Sequence, residues 1–105
     1  MNMQQMMQQM QTMQKKMQEL QKVMAEKEIT GTSGGELVTI TITGKGDIKK
    51  ISIDKSLINV DEKEILEDLI VAAFNNARQN VDQYTNEEMS KLGIPPNILK
   101  HLNNG

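Results

Sequence analysis

Seven apolar residues near the start of the chain recur in alternating steps of three and four: Met3, Met6, Met10, Met13, Met17, Leu20 and Met24. An unbroken pattern of this kind over three heptads specifies an α-helix with one apolar seam. A straight helix drifts from a 3.5-residue period, so a strict heptad seam favours packing against another helix. Met7 and Val23 widen the stripe, and the other positions are mostly Gln and Lys, which suit a solvated face. The segment holds no Gly or Pro, and Met and Gln are good helix formers. The spacing therefore predicts a helical arm over residues 1–26, with Met6, Met10, Met13, Met17 and Leu20 as packing residues.

The apolar period then changes from the heptad to two. Val38, Ile40 and Ile42 alternate with Thr39, Thr41 and Thr43, the pattern of a half-buried strand with a polar β-branched outer face. Residues 28–32 read as a weaker strand, and Ser33-Gly34-Gly35 as a turn. Thr43-Gly44-Lys45-Gly46-Asp47 closes a hairpin in which Gly44 and Gly46 are expected to supply positive φ. Ile51 and Ile53 alternate in a third strand. Ile48 is out of parity with them, which predicts a bulge or a turn-set register. A helical stripe then returns at Ile65, Leu66, Leu69, Ile70, Ala73, Phe74, Ala77, Val81 and Tyr84.

Asp61 and Glu64 stand at capping-box spacing and predict where that second helix starts. Thr85 to Glu88 repeats the spacing, so a break or restart is expected there. Leu92-Gly93 reads as a C-cap, followed by Pro95-Pro96. The order is α-β-β-β-α, an α+β fold with a long N-terminal helix, a three-stranded antiparallel sheet and a long second helix. One domain is expected over residues 1–92 (arm 1–26, sheet 28–54, second helix 61–92), with a flexible tail over 93–105. A chain of 105 residues with two aromatic residues has little core to wrap around a long apolar stripe, which favours a homodimer.

Charge is distributed unevenly. The net charge is −2, but residues 1–25 carry +2 and residues 57–92 carry −5. There is no cysteine, which removes disulfides, zinc thiolates and thiol nucleophiles. The one histidine, His101, sits in a polar tail and suits a surface role. The acidic run Asp61, Glu62, Glu64, Glu67 and Asp68 is accounted for by helix N-terminal charge and a solvated face. No nucleophile, acid–base pair or metal cluster is recognisable, so neither an enzyme, nor a metal site, nor a cofactor, nor a small-molecule substrate is expected. The methionine stripe could offer soft metal ligands, but packing accounts for it. Gln breaks the N-terminal apolar stretch every second or third residue, so no signal peptide is expected, and no run approaches the roughly 18 apolar residues of a membrane span.

Two interaction readings remain. In the first, lysines bind nucleic acid. Lys15 and Lys22 lie one heptad apart on the face opposite the seam, with Lys16 beside them, and Lys45, Lys49 and Lys50 decorate the hairpin and third strand. Phe74 to Asn80 carries a single charge, Arg78, among neutral amides such as Asn76 that could reach phosphates or base edges. In the second reading, the flexible methionine seam accepts apolar segments of protein partners without DNA.

The ordered set of motifs is similar to one family. A Met/Gln-rich helix precedes GTSGGELVTITITGKGDIKKISID, then LEDLIVAAFNNARQNVDQ, then a Met and GIPP. Together, over about residues 3–97, these resemble the YbaB/EbfC family of nucleoid-associated proteins. The resemblance implies a homodimer of α-β-β-β-α subunits whose protruding helices grip double-stranded DNA like tweezers. It implies a cytoplasmic, nucleoid-associated protein that alters DNA conformation and gene expression and is not an enzyme. It places DNA contacts on helix positions that correspond here to Lys15, Lys16, Lys22 and Arg78, with Lys45, Lys49, Lys50 and Asn76 as weaker candidates. Val38, Ile40, Ile42, Leu69 and Phe74 join the methionines as expected core or dimer packing.

Overall fold

In the computed structural model, which describes residues 2–94, α1 runs from Met3 to Glu26. The Asn2 side chain caps its start by accepting the Gln5 N–H at 2.9 Å. Three strands follow, β1 (Glu28–Ser33), β2 (Val38–Thr43) and β3 (Ile48–Ile53). They form an antiparallel meander in the order β1-β2-β3. Two 3-10 turns, Lys55–Leu57 and Val60–Glu62, lead into α2 (Lys63–Leu92). The α-β-β-β-α order matches the reading from periodicity.

Register explains the core. Ile29 faces Ile42, Gly31 faces Ile40 and Ser33 faces Val38, so these six share one side of the sheet. Ile53 and Ile51 add to the same side opposite Val38 and Ile40. Thr41 pairs with Lys50 and Ile42 with Ile48, leaving Lys49 as the extra residue of a bulge. That bulge returns Ile48 to the apolar face and resolves its parity.

Helix α2 lies across β1 and β2 on this face. Val38, Ile40 and Ile42 are buried beneath Ala73 and Ala77, with Leu66, Leu69, Ile70, Phe74 and Val81 packed around them. The helix comes unusually close at Gly31, where a Cβ would lie 2.6 Å from Ala77 Cα and closer still to Ala77 N and Ala73 O. Glycine on the strand and alanines on the helix permit that approach. It brings Asn76 and Asn80 to the outer edge of β1. Asn76 Oδ1 accepts the Thr32 N–H at 3.0 Å, and Asn80 Nδ2 donates to the Thr30 carbonyl at 2.8 Å. Ser33 Oγ donates to the Leu69 carbonyl at 2.5 Å. The two asparagine bonds satisfy backbone groups that an edge strand would otherwise present to solvent.

A second core cluster joins the two helices: Leu20, Met24, Met89 and Ile94 are buried, with Met13, Met17, Val81, Tyr84 and Leu92 against them. The far end of α2 closes in a Schellman motif. Gly93 adopts φ 72°, its N–H reaches the Ser90 carbonyl, and the Ile94 N–H reaches the Met89 carbonyl at 2.8 Å. Packing thus continues to Ile94, two residues beyond the domain limit drawn from the sequence. The rest of the expected tail, with His101, lies outside the described residues.

Three expectations are corrected, and the α1 seam is only partly filled within the subunit. The Asp61–Glu64 capping box does not form: Asn59 Oδ1 caps the preceding 3-10 turn through the Glu62 N–H, and α2 begins at Lys63 without a side-chain cap. The helix does not break at Thr85, whose hydroxyl donates to the Val81 carbonyl one turn back. Gly44 is absent from the positive-φ residues; its role is steric, because a Cβ there would lie 2.5 Å from the Met24 carbonyl oxygen. Within the subunit, the α1 seam is filled only from Met13 onward. Met6 and Met10 are exposed, as is every residue from Asn2 to Thr12.

Candidate nucleic-acid interface

Basic side chains occupy three surfaces. Lys15 and Lys22 are exposed on α1 and lie on its solvent face, opposite the seam formed by Met17, Leu20 and Met24. Lys16 is half-buried, because its Nζ lies near the last turn of α2: a Cβ on Gly93 would be 3.5 Å from it. An ammonium there complements the negative end of the helix dipole. Lys16 therefore has a structural role that Lys15 and Lys22 lack.

The second surface is an open groove of about 1150 Å³ between α1, the β2–β3 hairpin and α2. Met17, Leu20, Met24, Ile42 and Val81 form its floor, and Gln21, Lys45, Arg78, Asp82 and Asn86 stand among its polar lining. The hairpin that presents Lys45 is fixed by Thr43. Its buried hydroxyl accepts the Lys45 and Asp47 N–H groups at 3.3 and 3.2 Å, and its N–H reaches the Asp47 carbonyl at 2.8 Å. Arg78 and Lys45, distant in sequence, thus face one concavity. Sequence reasoning missed this pairing; the only signal was Gly44, which lets the hairpin sit against the end of α1.

The third surface carries Lys50, opposite Thr41 on the sheet face turned away from α2, and Lys49 in the bulge. Asn76 differs from the other candidates, since its carbonyl oxygen is engaged by the edge of β1. Among the described residues, the two ion pairs are Lys63–Glu67 and Lys91–Glu88. Lys15, Lys16, Lys22, Lys45, Lys49, Lys50 and Arg78 form none there. Lys27 is engaged differently, with Nζ 5.2 Å from the Tyr84 ring centroid. Burial, with the Glu88 carboxylate nearby, pushes the Tyr84 phenol up.

Comparison with known proteins agrees with this architecture. A profile of the YbaB/EbfC DNA-binding family matches residues 1–94. The chain belongs to that family. A nucleoid-associated protein of Rickettsia typhi is 51% identical over 77 residues, which span 70% of this chain and 72% of the relative. A nucleoid-associated protein of Rhodospirillum centenum is 48% identical over 69 residues, 66% of this chain and 64% of that one. The crystal structure of an uncharacterized protein from Helicobacter pylori superposes with a TM-score of 0.74 at 23% identity, covering 88% of this chain and 97% of that one. That likeness establishes the shared fold. Among the described residues, no helix is long and apolar enough to cross a membrane.

Proposed function

We propose that this YbaB/EbfC family member binds double-stranded DNA as a homodimer, mainly through phosphates, and thereby alters DNA conformation in the nucleoid. The observation that carries the reading is the pair Lys15 and Lys22, exposed and without ion-pair partners among the described residues, on the solvent face of α1. They repeat at one heptad, roughly 10 Å along the helix axis. Arg78 and Lys45 in the groove would add a second set of phosphate contacts. Contacts of this kind neutralise a backbone without reading bases, so affinity would fall with salt while sequence preference stayed modest.

The dimer is supported by the uncovered part of the sheet. Helix α2 lies over β1 and β2, leaving most of β3 uncovered on the core side apart from half-buried Ile53. Ile48 is 53% exposed and Ile51 44% exposed, although both face the same side as buried Ile40 and Ile42. Val71, two helical turns before Arg78 on the same flank of α2, is 60% exposed. Ile58 follows β3 and is exposed as well. An apolar surface continuous with the core and lacking a cover is what a second copy of the chain would bury.

Binding to a fluorescent duplex of about 30 base pairs, by anisotropy at about 50 and 200 mM salt, tests the reading. Steep loss of affinity between the two conditions, from a species of twice the chain mass by light scattering, is the expected result. A dimer with no affinity for the duplex at the lower salt would refute DNA binding and favour the protein-partner reading of the methionine stripe.

A further inference from the structure

The first half of α1 presents side chains that the fold does not use. Met3, Met6, Met7 and Met10 are 79, 49, 58 and 64% exposed. The second half of the same stripe is packed: Met13 and Met17 lean on a cluster that buries Leu20 and Met24. Packing within the subunit therefore accounts for the methionines from Met13 onward and not for the four before it.

Those four stand at positions i, i+3, i+4 and i+7. On a helix such residues share one face, with neighbouring Cβ atoms about 5–6 Å apart. Asn2 fixes the register, since its side chain caps the helix at Gln5. Methionine has three flexible side-chain torsions, so the sulfurs of Met6, Met7 and Met10 can converge on one point above the helix surface. The surroundings are equally selective. Residues 2–14 contain no Asp, Glu, Lys, Arg, His or Cys. A site built from thioethers alone, with no carboxylate or imidazole, is soft and neutral. Such ligands suit a soft monovalent d10 cation and offer nothing to Mg²⁺ or Ca²⁺.

We propose that Met6, Met7 and Met10, with Met3 as an alternate ligand, form a site for Cu(I) on the exposed half of α1. The positive end of the helix dipole disfavours a cation at the first turn, which places the ion nearer Met10 than Met3. Thioethers carry no proton to lose, so binding is independent of pH over the range in which histidine titrates. The site is separate from the DNA reading, because Lys15 and Lys22 lie further along the helix on the opposite face.

The test is anaerobic titration of the full chain with Cu(I) against a chromophoric Cu(I) chelator, at mildly acidic and neutral pH. Methionine methyl groups are followed by NMR in parallel with Ag(I) as the probe. The expected result is one ion per chain, equal affinity at both pH values, and methyl shifts confined to the first half of α1. The triple variant Met6→Leu, Met7→Leu, Met10→Leu keeps side-chain size and helix propensity, so it folds as the parent does by circular dichroism. Its affinity should fall by about tenfold or more, the scale expected when soft ligands are removed. The variant Met13→Leu, Met17→Leu should bind like the parent. Undiminished binding in the triple variant, a pH-dependent affinity pointing to His101, or no competition with the chelator would overturn the assignment.

Discussion

Replacing Gly31 by alanine tests the contact that holds the two layers together. The added Cβ would meet Ala77 N, Ala77 Cα and Ala73 O, all of them backbone atoms of α2. No side-chain rotation relieves such a clash, so the helix must move off the sheet or the strand must bend. Overpacking of a close-packed core costs about 1–3 kcal/mol. Movement of α2 would also lengthen the bonds from Asn76 and Asn80 to the edge of β1, each contributing about 1 kcal/mol. The sum is about 3–5 kcal/mol, a large part of the stability of a small domain. With a shift of about 4–8 °C per kcal/mol, Tm should fall by roughly 12–40 °C. Urea unfolding followed by circular dichroism measures the loss directly. Gly35→Ala is the control, because a Cβ there meets nothing within 4 Å and only the positive φ of 65° is strained. The control should lose about 1–2 kcal/mol. If Gly31→Ala lost no more than Gly35→Ala, the close approach of α2 to β1 would not be a determinant of stability.

Other expectations follow from the same architecture. Charge reversal at Lys15 and Lys22 together should weaken duplex binding at every sequence and lower the salt slope by about 0.9 for each phosphate no longer neutralised; an unchanged slope would remove these residues from the interface. Leu20→Ala, which empties the centre of the α1–α2 cluster, should cost about 2–5 kcal/mol in urea unfolding, and a loss below about 1 kcal/mol would show that α1 is held elsewhere. Asp54 caps the turn after β3, and the Ser56 hydroxyl, then the Ser56 N–H, hold its carboxyl below the usual value. Its stabilisation is present above the ordinary carboxylate range and lost as pH falls through the lowered value. Asp54→Asn should therefore flatten the acid limb of a stability–pH curve, whereas an unaltered limb would discount the cap.

The fold was legible because hydrophobic period changes twice, from heptads to alternation and back. The parity of Ile48 pointed to either a bulge or a turn-set register, and the bulge is what forms. Local end signals were less dependable. Asp61 had the right spacing for a cap, yet Asn59 closes a 3-10 turn first, and nothing in periodicity distinguishes the two. Thr85 begins a plausible capping box, but the apolar stripe continues through Tyr84 to Met89, and tertiary packing of that stripe outweighs a local hydroxyl preference. Gly44 resembled a turn residue, while its function depends on Met24, twenty positions earlier. The candidate site was the least legible part. Lys15 and Lys22 could be placed opposite the seam by counting, but the meeting of Arg78 with Lys45 needs the fold. Asn76 and Asn80 looked like donors for a ligand; their partners Thr32 and Thr30 are more than forty residues away.

The two margins of the sheet are unequal, and this limits how copies of the chain can grow upon one another. At β1, the Thr32 N–H and the Thr30 carbonyl are taken by amides of α2, so a strand added there would have to displace them. At β3, no helix intervenes, and Lys49 and Lys50 flank the open margin. Were two copies to join by strand addition, they could do so only open side to open side. Such a union consumes the sole available margin of each participant and leaves none for a third. Strand addition of that kind would be self-terminating, and would keep a threonine- and isoleucine-rich sheet from running on into fibres.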